Sequence, residues 1–114
     1  MSVKKRKNPR ARMSAHEREQ RSRLAQLVHE AGLLRGTLAV RERTCGKANC
    51  KCSQGEKHVS LYLVASYEGH VRQLFIPKDW EPQVRRWVKQ YREARKLLED
   101  VSLLHWDKVQ KRQE

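Results

Sequence analysis

Three cysteines within eight residues are the feature that most limits what this chain can become. They stand in the run Cys45-Gly46-Lys47-Ala48-Asn49-Cys50-Lys51-Cys52-Ser53-Gln54-Gly55-Glu56-Lys57-His58. An odd number of thiols leaves one unpaired in any disulfide scheme. Three thiolates and one imidazole, however, match the Cys3His set of tetrahedral structural zinc sites. The residues between Cys45 and Cys50 leave room for a tight turn, and Gly46 and Asn49 are types that tolerate positive φ. Gly55 allows a second turn before His58. The run predicts one Zn2+ per chain, held by Cys45, Cys50, Cys52 and His58, with His29 and His70 as competing fourth ligands. Lys47, Lys51 and Lys57 would offset the negative charge of three thiolates and favour their deprotonated form. A reduced cluster without metal is the competing reading. An iron–sulfur cluster normally takes four thiolates, one more than this chain has.

A staple matters because the rest of the chain is sparse. Of 114 residues, 38% are hydrophobic and 34% charged, against about 45–50% and 25% in an average domain. So thin a core in so short a chain often needs a metal, a disulfide or a partner subunit.

Four segments precede or follow one another by changes of period. Residues 1–13 form a basic tail with six cations (Lys4, Lys5, Arg6, Lys7, Arg10 and Arg12) and no acid, so disorder is expected there in the free protein. Residues 14–35 read as a helix. Ser14 and Glu17 fit a capping box, Leu24, Leu27, Val28, Ala31 and Leu34 give one apolar face, and Gly36 is the expected stop. Residues 37–77 read as a three-stranded antiparallel meander. Its strands run from Thr37 to about Arg43, from Ser60 to Tyr67 and from Val71 to Ile76, with a turn at Glu68-Gly69-His70. Residues 79–110 read as a long helix with Asp79 as N-cap and Pro82 in the first turn. Its stripe is Val84, Trp87, Tyr91, Ala94, Leu98, Val101 and His105, widened by Leu97 and Leu104. The expected class is α+β, with one helix–meander–helix domain over 14–110 and a frayed end at 111–114. The long stripe packs either on the rest of the domain or, as a coiled-coil-like seam, on a second copy.

The formal net charge of +13 points to a polyanionic partner, nucleic acid first. Residues 1–23 carry +7 of it, 24–77 carry +3 and 78–114 carry +3. Besides the tail, the candidate phosphate-binding cations are Arg41, Arg43, Lys47 and Lys51 around the cysteines. On the long helix Arg85, Lys89, Arg92 and Lys96 share a face at helical spacing. Arg18, Arg21 and Arg23 add charge to the first helix. Such residues hold phosphate without specifying sequence, and Tyr62 or Tyr67 could stack on bases from an exposed sheet face. The competing readings are a solvated charge run and a core position for both tyrosines.

No apolar run approaches the roughly 20 residues that span a bilayer, and no apolar stretch follows the basic N-terminus, so neither a membrane anchor nor a secretory signal is expected. A cytoplasmic, reducing location follows. The chain offers no Gly-rich phosphate loop, no acidic magnesium cluster and no paired-carboxylate motif, and Glu56 is the only acid near the cysteines, so no enzymatic activity is expected. Two functional readings remain besides a redox or metal sensor. One is a nucleic-acid-binding accessory protein. The other is an adaptor or homodimer docking through Trp87, Tyr91, Leu98 and Trp106 of the long helix.

The stretches LLRGTLAVRERTCGKANCKCSQGEKHVSLYL and FIPKDWEPQVRRWVKQYREARKLLEDVS, together covering about residues 33–102, resemble a bacterial family of unknown function. Its pattern has an LLRGS-like opening, a CGKxNCxC cluster, a Gly-x-x-His step, a YLxxxxxGK meander and a PKxxxxxVRRWVxNYRxLRxLLEEIS helix. Cys45, Cys50, Cys52 and His58 fall on its cluster positions. The family commonly continues His-Gly-Pro where this chain has His58-Val59-Ser60, which alters the turn after the histidine. The resemblance implies a zinc-binding or nucleic-acid-associated role near mobile-element genes and brings no established activity.

Overall fold

The computed structural model describes residues 13–43 and 58–112. The order is α1 (Ala15–Glu30), β1 (Thr37–Arg43), β2 (His58–Tyr67), β3 (His70–Ile76), a 3₁₀ turn (Lys78–Trp80) and α2 (Glu81–Lys111). The class is α+β, with three antiparallel strands in the order β1-β2-β3. The described residues fall into two compact units. One holds Gly32–Tyr91, and the other holds α1 with the part of α2 from Arg92 onward.

In the first unit, alternation along β2 decides everything else. Leu61 and Leu63 are buried, and side chains two apart share a face of a strand. Their register partners Leu38 on β1 and Ile76 on β3 lie on that same face. Val84 and Val88, one helical turn apart on α2, close over it, with Leu34 and Leu38 packed at its margin. Each such buried aliphatic chain stabilises the fold by about 1.5–3 kcal/mol. The β2–β3 connection is two residues long, Glu68 at φ 52° and Gly69 at φ 79°. Positive φ at both positions makes it a type I′ turn, whose twist matches the strands it joins.

The second unit rests on local capping and a few buried groups. Ser14 Oγ accepts a hydrogen bond from the Glu17 amide at 3.0 Å and so caps α1 as expected. Its buried residues are Glu17, Leu27, Ala94 and Val101. The Glu17 carboxylate, though only 3% exposed, accepts from Arg21 Nε at 2.8 Å one turn on. Arg23 on α1 grips Glu93 on α2 with both arms of its guanidinium, at 2.8 and 3.2 Å. Glu93, by hydrogen bond and by charge, raises the Arg23 pKa above its ordinary value.

Several boundaries differ from expectation for physical reasons. Helix α1 stops at Glu30, not near residue 35, because Gly32 lies against the Trp87 indole. A Cβ on Gly32 would sit 2.1 Å from Trp87 Nε1. Leu34 then follows extended chain and donates its N–H to the Trp87 carbonyl at 3.2 Å, so it packs beside the sheet and not on the helix. Gly36 lies beyond this link. Asp79 sits inside the 3₁₀ turn, and α2 begins at Glu81. Strands β2 and β3 begin at His58 and His70, earlier than expected, because pairing with Arg43 and Tyr67 extends them.

Trp87 is itself braced edge-on by Trp80, ring centroids 6.2 Å apart. Gly32→Ala is therefore expected to destabilise the protein by about 1–3 kcal/mol through overpacking. Urea titration followed by tryptophan fluorescence measures it.

Candidate functional site

The cysteine segment leaves the sheet at Arg43 and returns at His58, and these two residues are register partners. Antiparallel partners lie about 4.5–5.5 Å apart between Cα atoms. Pairing of β1 with β2 thus clamps the ends of residues 44–57 together. Cys45, Cys50 and Cys52 lie outside the described residues, as do Lys47 and Lys51 and the tail cations Lys4, Lys5, Arg6, Lys7, Arg10 and Arg12. Among the described residues no group of three or more Cys, His, Asp or Glu could hold a metal.

The sheet does discriminate between the candidate histidines. Cys45 follows Arg43 by two residues, a covalent reach of about 7 Å. His58 faces Arg43 across the ladder. His70 pairs with Tyr67 at the opposite end of β2, nine residues and roughly 30 Å away at strand rise. His29 belongs to α1 in the other compact unit. Of these three histidines, His58 is the one that the sheet places next to residue 57, where the cysteine segment ends.

The predicted cations fare unequally. Arg85, Lys89, Arg92 and Lys96 are all exposed on α2. Lys96 pairs with Asp100 at 3.0 Å. Arg85, Lys89 and Arg92 have no carboxylate partner among the described residues. The first helix is different: Arg21 is held by Glu17 and Arg23 by Glu93, and Arg18 donates to the Met13 carbonyl at 2.9 Å. Those three arginines fasten α1. Arg41 lies over the Tyr62 ring, 4.6 Å from its centroid.

The two tyrosines lie on opposite faces of the sheet. Tyr67 shares the face of Leu61 and Leu63, and the Arg35 guanidinium covers its ring at 4.1 Å while donating to the Ser66 carbonyl. Tyr62, half-buried, lies on the other face beside its register partner Phe75, which is exposed. Sequence reasoning missed Phe75. Period-two alternation from Leu61 and Leu63 through the two-residue turn would have placed it beside Tyr62.

A model for the Domain of unknown function (DUF6788) matches residues 14–86. The chain belongs to this family. The matched span takes in α1, all three strands and the first turns of α2, so the clamped cysteine segment is inside the DUF6788 region. No curated protein and no solved structure matches the chain. No helix among the described residues is long and apolar enough to cross a membrane.

Engaged and exposed arginines should separate in stability measurements. Arg21→Ala leaves a buried carboxylate without its partner and is expected to cost about 1–3 kcal/mol. Arg85→Ala and Lys89→Ala should stay within about 0.5 kcal/mol of the parent. Thermal unfolding followed by circular dichroism checks the contrast.

Proposed function

We propose that this DUF6788 protein is a small zinc-stapled accessory protein that binds nucleic acid in the cytoplasm. The observation that carries the reading is a net charge of +13 combined with cations on α2 that no described carboxylate neutralises. Arg85, Lys89 and Arg92 are exposed and spaced three to four apart, which puts them on one face of the helix. Arg41, Arg43, Lys47 and Lys51 flank the cysteines, and the tail adds six more cations. Phosphate contacts of this kind supply affinity and position, with little sequence information. A setting beside mobile genetic elements rests on the sequence resemblance alone.

One Zn2+ per chain would be held by Cys45, Cys50, Cys52 and His58. Bound there, it ties the end of β1 to the start of β2 and supplies structure, not reaction chemistry. The support is the register pairing of Arg43 with His58 and the chemistry of the donor set.

A second reading is an adaptor that docks through α2. Leu98, Trp106 and Val109 favour it, being 58%, 70% and 74% exposed in a chain with few apolar residues to spare. Light scattering across a concentration series separates the two: a monomer at every concentration counts against self-association.

Fluorescence anisotropy with labelled DNA and RNA at several salt concentrations tests nucleic-acid binding. Log affinity for a duplex should fall by about 0.9 per phosphate neutralised for each unit of log salt. Absence of binding at low salt overturns the reading. Elemental analysis of the purified protein should give about one zinc per chain. Cys50→Ser and His58→Ala should lose metal while His70→Ala keeps it, and a metal-free folded protein would refute the staple.

A further inference from the structure

One face of the sheet carries the buried Leu61 and Leu63, and the other carries the aromatic pair Tyr62 and Phe75. Parity along the strands puts Ala39, Arg41, Ser60, Tyr62 and Phe75 on the side opposite Leu61 and Leu63. Tyr62 and Phe75 are direct cross-strand partners. Their rings meet edge to face, centroids 5.8 Å apart and planes at 69°. Phe75 is 53% exposed. Arg41 lies over Tyr62 from the neighbouring strand. Ala39, the register partner of Tyr62, and Ser60, the partner of Arg41, are small neighbours on the same face. The only acid in the described strands, Glu42, belongs to the opposite face.

The geometry points to this face as a stacking platform for single-stranded nucleic acid. The inference rests on the nucleic-acid reading above and adds to it the kind of strand bound. An exposed Phe75 ring beside Tyr62, flanked by a guanidinium and free of described carboxylates, complements bases on a polyanionic backbone. Every base offers a π-face, so such stacking tolerates sequence, and a guanidinium serves both phosphate and ring. A duplex keeps its base faces stacked internally and could not use the rings. It would reach only the cations.

Arg43 and His58 pair at one end of β1 and β2, so the cysteine segment joins the sheet two residues beyond Arg41.

The test compares a labelled single-stranded oligonucleotide with its duplex by anisotropy, using the full chain and the variants Phe75→Ala, Phe75→Leu and Phe75→Tyr. Phe75→Ala and Phe75→Leu are expected to weaken single-strand binding about 5-fold to 100-fold. Phe75→Tyr, which keeps the ring, should restore it. Duplex affinity should be unchanged in all three. Phe75 is exposed, so the fold should survive; Phe75→Leu preserves apolar bulk in case Phe75→Ala does not fold. Equal loss on both ligands, or no loss on either, overturns the platform while leaving the phosphate reading intact. A wild-type protein that binds neither ligand overturns both. A dimer that Phe75→Ala dissociates, with oligonucleotide affinity unchanged, assigns the face to a second copy and overturns the platform as well.

Discussion

Everything in the sheet unit follows from the register of β2. One residue of slip would turn Leu61 and Leu63 to water and bury Tyr62 in their place. The burial of those leucines under Val84 and Val88 therefore holds the pairing in place. The same pairing sets Arg43 opposite His58 and puts Tyr62 and Phe75 side by side on the other face. The core and both candidate sites are consequences of a single alternation. That concentration suits a chain with so few apolar residues, since each buried side chain must serve more than one purpose.

The long helix divides its labour. Its first turns supply Val84 and Val88 to the sheet, and its later turns supply Ala94 and Val101 to the helical unit. Between these buried positions it carries a basic surface and an exposed apolar one. Two arginines of the first helix, Arg21 and Arg23, are engaged internally by Glu17 and Glu93. Basic charge in the sequence is therefore not the same as basic charge offered to a ligand.

Local features were legible from the chain alone. Ser14 capped α1 because its partner is the amide three residues on. The strands appeared where β-branched and aromatic residues gather, and the Glu68-Gly69 turn stood where a chain must reverse. The misses are contacts between distant residues. The end of α1 depends on Trp87 approaching Gly32. The pairing of Arg23 with Glu93 spans 70 positions. Val88 fell outside the expected stripe and Leu98 inside it, because one period was fitted to a helix whose halves bury different sides. The alternation put Tyr62 and Tyr67 on opposite faces, but the guanidinium groups that Arg41 and Arg35 lay over their rings depend on contacts between distant residues.

The two sheet connections differ in what they ask of a folding chain. The β2–β3 hairpin closes through two residues and can form within about 1–10 μs. Joining β1 to β2 means closing residues 44–57, with an entropy penalty that rises as the logarithm of loop length. The hairpin can therefore form early and present Leu61 and Leu63 as a surface on which β1 and the start of α2 assemble. Any restraint that holds residues 43 and 58 together would act on the slower of the two closures, where restraint of the unfolded chain matters most.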